Sequence, residues 1–382
     1  MDRSCWIGQN ESGRRFRRHR TTIKAVAAAP MRNIRTLAFR RLSGLWTGLA
    51  LLACLLATEL RAADDTPPPL AIQFAFDRPL ESSMAPFIVA ANRGLFGEER
   101  LAVTFTHASG SPDAIARVAR GDSDLALVDL NELIRFRDRA NEAPVKAVFV
   151  LFDESPYAIV ARRSRGIHGL ADIEGKTVGV ADGDLSIRLW PALAHRNGIK
   201  TAGVKFYKMS AAVREPILSA GQVDAVTGFS YLSAVNLRDR GVPANDLVVL
   251  RYADYGCEAY GFAVIVNPAF AASRPEAVKG FVRALIAGIN ATVREPERAV
   301  DEVVGRMESG SRELELERLR TVLADNILTP EVRRNGLGGI DPARLERSID
   351  QIAEDYKFRK RPTAVDIFDA SFLPPVGGRL IN

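Results

Sequence analysis

Arg120-Gly121-Asp122-Ser123-Asp124-Leu125-Ala126 and, one hundred residues later, Ala220-Gly221-Gln222-Val223-Asp224-Ala225-Val226 share one pattern. In each, a glycine closes a stretch of helical character and an aspartate leads into a short apolar run. Glycine ends a helix at little cost because it accepts a positive φ. A short apolar run bounded by turn residues reads as a buried strand. Two copies of a helix-stop-strand unit predict two lobes of similar plan.

The flanking sequence extends both copies. Residues 70–76 alternate and read as a strand, 82–94 as a helix stopped by Gly94, and 101–106 as a strand. Ser111-Pro112-Asp113 opens a helix reaching Gly121. A strand at 124–128, a helix at 130–139 and a strand at 145–152 complete the first round. The second round has a helical turn at 170–173, strands at 176–180, 203–207, 224–227 and 247–251, and helices within 185–196, 211–220 and 231–239. Strands alternating with helices predict α/β lobes with parallel sheets covered by helices. A strand at 260–266 is expected to return to the first sheet, so the chain crosses between lobes near 155–165 and 252–260, a two-segment hinge. Lobe 1 is then 70–160 plus 260–382, lobe 2 is 161–259, and helices at 275–293, 296–308, 312–325 and 341–357 form a C-terminal extension.

Composition narrows the classes. The 382 residues are 47% hydrophobic and 26% charged, an ordinary globular balance. The net charge of +6 is uneven: residues 1–63 hold 12 of the 52 Lys and Arg but only 3 of the 46 Asp and Glu. The rest is slightly acidic, which argues against nucleic acid as a partner. Within the leader, a basic segment from Met31 to Arg41 precedes an apolar run ending near Ala57 and small residues at Ala62-Ala63. This is the pattern of a secretory signal peptide over 31–63, with 1–30 an upstream extension from a mis-assigned start and 64–69 a linker. An apolar run of about 16 residues is short for a spanning anchor. Leu51-Leu52-Ala53-Cys54 also offers a lipoprotein reading, which the continuing apolar run disfavours. The three cysteines support no disulfide framework.

In open α/β lobes, ligands bind beyond the C-terminal ends of the strands. The residues there are Asp77, Arg78, Ser82 and Ser83; His107 and Ser109; Asp129 and Asn131; Tyr157; Asp182, Gly183, Asp184 and Ser186; Phe229, Ser230 and Tyr231; and Glu258 at the second crossing. Polar and aromatic groups converging on an apolar cleft make a small-molecule site. Caps and turns account equally well for Asp77 and Asp184, and lobe packing for Phe229 and Tyr231. No G-x-S-x-G, Walker A or H-E-x-x-H motif occurs, and the four histidines are scattered, so no catalytic or metal residue is assigned.

Ala85-Pro86-Phe87-Ile88-Val89-Ala90, Arg93-Gly94-Leu95-Phe96, the two units quoted first, and Gly169-Leu-Ala-Asp-Ile-Glu-Gly-Lys-Thr-Val-Gly-Val together resemble periplasmic solute-binding proteins of the nitrate/sulfonate/taurine and thiamine-pyrimidine type. The resemblance implies a type II periplasmic-binding fold. It also implies a receptor that clamps a small solute between two lobes and delivers it to an ABC permease; with the leader, the expectation is an exported, periplasmic monomer without a cofactor. The stretch 225–267, with Arg238-Asp-Arg-Gly-Val-Pro-Ala-Asn-Asp-Leu and Tyr255-Gly-Cys-Glu, also looks like the fungal thiamine-pyrimidine synthases, which use pyridoxal phosphate, their own histidine and iron. At the positions matching their lysine and histidine, this chain has Val128 and Glu132, and their cysteine cluster is reduced to Cys257. Valine forms no Schiff base, so the carrier is favoured over the enzyme. Aspartates, serines and aromatics at the strand ends favour a neutral or amine-bearing, ring-containing solute stacking on Phe229 or Tyr231.

Overall fold

The structure, a computed structural model, describes residues 68–138 and 143–381, all within one compact unit. The leader, its cleavage position and Cys54 lie outside the described residues. Among the described residues no helix is long and apolar enough to cross a membrane.

The strands, in chain order, are β1 (Leu70–Phe76), β2 (Leu101–His107), β3 (Leu125–Asp129), β4 (Lys146–Val150), β5 (Tyr157–Arg162), β6 (Thr177–Ala181), β7 (Lys205–Met209), β8 (Ala225–Phe229), β9 (Leu247–Arg251) and β10 (Phe262–Val266). They form two five-stranded sheets, ordered β2-β1-β3-β10-β4 and β7-β6-β8-β5-β9. The two orders are one plan used twice. In each, the first three strands of a round lie parallel, and a strand from a crossing segment inserts antiparallel before the fourth.

The repeated sequence unit performs the same task in both sheets. Gly121 and Gly221 adopt φ of 82° and 73° after their helices. Asp124 then donates its N–H to the Gln73 carbonyl, and its carboxylate accepts from the Gln73 N–H at 2.7 Å. Asp224 repeats this on Thr177, its carboxylate accepting at 2.9 Å. Each aspartate thus pins the entry of a central strand to its parallel neighbour, which sets the register of the sheet.

One expectation changes. Residues 157–162, placed in the first crossing, form β5 in the interior of the second sheet, so the crossing contracts to 151–156. The run Tyr157-Ala-Ile-Val-Ala161 is wholly buried, as a strand covered on both faces must be. The helix expected from Ser111-Pro112-Asp113 spans Ser111–Arg120, with Gly110 at the cap position and the Ser111 side chain buried. Pro191 lies in the first turn of the helix Trp190–Arg196, where its missing N–H is harmless.

The C-terminal region is helical. The helix Pro275–Arg294 buries Val278, Phe281, Val282, Leu285 and Ile289, a stripe at helical spacing. Phe281 stacks on Phe74 at 5.4 Å in the core of the first sheet. The helix Arg312–Val322 reaches the second sheet's helix Ser230–Asp239 through Arg318 to Asn236 and Glu317 to Arg238.

Candidate functional site

A cleft of about 620 Å³ lies between the sheets, at the C-terminal ends of β1, β2, β6 and β8. From the first sheet come Asp77, Arg78, Ser109 and Ser111, and from the second Asp182, Gly183, Asp184, Arg188, Arg214 and Phe229, with Pro79, Ala108, Leu185 and Ala211 as apolar wall. Strand interiors are apolar, so polar side chains collect where the strands end and backbone groups become free.

The floor is built from Arg78. Its guanidinium bonds both oxygens of Asp77, at 2.9 and 3.0 Å, and lies 3.9 Å from the Phe262 ring centroid and 5.0 Å from that of Phe229. Asp77 is held from behind by the Ser111 hydroxyl at 2.5 Å, and that oxygen accepts the Asp129 N–H at 3.0 Å. Burial opposes the Arg78 charge, but Asp77, Tyr231 and Glu81 outweigh it and hold the group firmly protonated. Across the cleft, Asp184 accepts from Ser186 N–H and hydroxyl, from Thr227 at 2.5 Å and from Arg214 at 3.4 Å.

Asp129, Asn131 and Tyr157 do not line the cleft. Tyr157, the first residue of β5, donates to the buried Asp129 carboxylate, and Asn131 donates to Asp129, Tyr157 and the Tyr260 carbonyl. Together they tie the two sheets at the hinge. Tyr231 is fully buried beneath Phe229, ring centroids 5.9 Å apart, and donates to Glu81 at 2.7 Å. It makes a second tie and cannot stack on a solute. Ser83 bonds the same Glu81, while Ser82 is buried with its N–H on Glu315. His107 faces outward, with Nδ1 3.1 Å from the Arg78 carbonyl. Ser186 is consumed by Asp184, and Ser230 is buried beside a separate pocket behind the second sheet. Glu258 pairs with Arg347 at 3.2 Å on the C-terminal helix Pro342–Ala353, outside the cleft, because the second crossing runs along that helix.

Sequence reasoning missed Arg188 and Arg214. The strand-end rule finds Arg214 once β7 is placed at Lys205–Met209, because the segment after that strand turns into the cleft. Arg188 spans the cleft to Glu132 at 2.8 Å, and Glu132 also holds the buried Arg135 at 2.9 Å. Each cleft arginine is thus ion-paired: Arg78 with Asp77, Arg188 with Glu132, and Arg214 with Asp184 and Glu215. Asp182 is exposed to the cleft, and its carboxylate has no partner among the described residues.

The residues do not fit pyridoxal phosphate. Val128 is a fully buried strand residue opposite Ala263, Glu132 is committed to two arginines, and among the described residues no lysine lines the cleft. Among the described residues, no group of three or more His, Cys, Asp or Glu is placed to hold a metal ion.

The profile of the family described as NMT1/THI5 like matches residues 81–299. The 4-amino-5-hydroxymethyl-2-methylpyrimidine phosphate synthase of Legionella pneumophila is 27% identical over 216 residues, covering 56% of this chain and 67% of that protein. The riboflavin-binding protein RibY of Chloroflexus aurantiacus is 30% identical over 225 residues, covering 57% of this chain and 61% of RibY, so the match spans less than two thirds of that relative. The periplasmic aliphatic sulphonate binding protein SsuA of Escherichia coli superposes with a TM-score of 0.62 at 14% identity, over 82% of this chain and 98% of SsuA. That likeness shows the fold, a type II periplasmic-binding architecture of two α/β lobes with a helical C-terminal extension. With well over half its length matched, the chain belongs to the NMT1/THI5-like family.

Proposed function

We propose that this protein is the solute-capture component of an ABC importer, a periplasmic monomer that closes over a small ring-containing solute, neutral or amine-bearing, and presents it to a membrane permease. The observation that carries this reading is the charge pattern of the cleft. Among the described residues every arginine there is neutralised by a carboxylate, and the unpaired charged group is Asp182. An anionic solute would have to displace an internal carboxylate from a guanidinium, whereas an amine or N–H donor meets a free acceptor. Phe229 supplies an apolar ring at the cleft wall. Relatives named for riboflavin and for a pyrimidine agree with a heteroaromatic solute. Ligand bridging the two lobes shifts the open–closed equilibrium by its differential affinity for the two states.

The test is a thermal-shift and calorimetric panel on the purified chain, spanning riboflavin, aminopyrimidines, taurine and an alkanesulfonate. A ring-bearing solute at one hundred times its Kd stabilises by about 2.7 kcal/mol, and Phe229→Ala and Asp182→Asn each weaken it tenfold or more. Tighter binding of a sulfonate would overturn the assigned ligand class. The relatives named as synthases sustain an enzymatic alternative. Turnover of pyridoxal phosphate by the iron-loaded protein would establish it in place of the carrier.

A further inference from the structure

A second cavity, of about 440 Å³, lies where the C-terminal segment folds against β4. β10 runs antiparallel to both β3 and β4, so β4 points the same way as the strands whose C-terminal ends meet the cleft. Lys146 opens β4 and therefore sits at the opposite end of the sheet. The cavity is remote from the solute site. Its walls are Ile340, Pro342, Ala364, Phe368 and Leu373, and two cations reach it, Lys146 and Arg379.

Arg379 is unusual among the buried arginines. It is 9% exposed, and its Nε donates to the Pro374 carbonyl at 3.0 Å and its Nη1 to the Leu337 carbonyl at 2.7 Å. Among the described residues it has no carboxylate partner and Nη2 has no hydrogen bond. Arg135, buried to a similar degree, and the less buried Arg78, Arg318 and Arg344 are each paired with Asp or Glu. Burial pulls the Arg379 pKa down with nothing opposing it. Lys146 likewise has no ion pair or hydrogen bond among the described residues. Asp369 on the wall accepts the Ser371 N–H through one oxygen and pairs with neither cation, which leaves two cations against one carboxylate in the lining. A buried guanidinium without a counter-charge is costly, and a planar carboxylate matches its fork.

We propose that this cavity is a second ligand site, for a small amphiphilic carboxylate whose anionic head meets Arg379 and Lys146 and whose apolar body fills the space between Ile340, Phe368 and Leu373. Its volume lies within the usual range for small-molecule pockets.

Octanoate is the probe, titrated calorimetrically into the full chain in carboxylate-free buffer, with octanol and octylamine as matched controls. Octanoate should bind one to one, at least tenfold more tightly than either control. Arg379→Met would strip carbonyls of their donor, so variants at the rim carry the test. Lys146→Met, and Val365→Glu at a position 73% exposed on the cavity edge, should each weaken octanoate at least fivefold without changing the unfolding midpoint. Phe229→Ala, in the cleft, should leave it unchanged. The proposal is overturned by absent octanoate binding, by octanol binding equally well, by insensitivity to both rim variants, or by loss of binding in Phe229→Ala.

Discussion

Asp129 allows the hinge to be tested quantitatively. It is fully buried at the end of β3, accepting from the Asn131 N–H at 2.8 Å, from the Asn131 amide and from the Tyr157 hydroxyl. Burial pushes its carboxyl up from 3.8 to about 6, with Glu132 adding to the rise and the hydrogen bonds opposing it. The native state therefore holds this proton more tightly than the unfolded chain. The associated stability is fully present below about pH 4 and is lost as pH rises through 6. A rise of about two units corresponds to about 3 kcal/mol, of which about 2 kcal/mol falls between pH 4 and 7. Asp129→Asn cannot ionise. Urea unfolding followed by far-UV circular dichroism and by Trp190, the one tryptophan among the described residues, should show the wild type losing about 2 kcal/mol more than the variant between those pH values. Asp153 and Asp325 also have raised values, but they are common to both proteins and cancel in the comparison. Parallel pH profiles would refute the assignment of a buried, proton-linked carboxyl at the hinge.

Glu132→Gln leaves Arg135 buried without its counter-charge and frees Arg188; denaturant titration should show a loss of about 3 kcal/mol, and a change under 1 kcal/mol would contradict the buried pair. Gly338 has a φ of 82°, and an added Cβ would lie 2.2 Å from the Phe149 ring, so Gly338→Ala should cost about 3 kcal/mol from backbone strain and overpacking together. Burial raises the Cys257 thiol to about 11, so a thiol reagent at pH 7.5, followed at the Cys257 peptide by mass spectrometry, should label it slowly in the native protein and at the ordinary rate in urea; equal rates would place the thiol at the surface. Tyr231→Phe removes the bond to Glu81 and should lower stability by about 2 kcal/mol with little change in circular dichroism.

Local chemistry made much of the fold readable. The stops at Gly121 and Gly221, and the aspartates that pin the next strand, act through neighbouring backbone. β5 escaped because a continuous apolar run carries no period of its own. The strand-end rule reached Asp77, Arg78, Ser109, Phe229 and the Asp182–Asp184 turn. It also named Asp129, Asn131 and Tyr157, which lie outside the cleft lining because they bond one another across the two sheets at the hinge.

The sequence by itself determined two similar α/β rounds, a helical C-terminal region and the loops that meet at strand ends, because helix stops, caps and apolar periods depend on residues within a few positions of one another. Only the tertiary structure decided which of those loop residues line the cleft and which of them keep a free side chain there. Tyr231 or Phe229, Asp184 or Asp182, and Arg214 or Glu258 are separated by helix rotation and by partners 30 to 150 positions away. The charge left free in the cleft is what remains after those distant pairs have formed, and no local pattern encodes it.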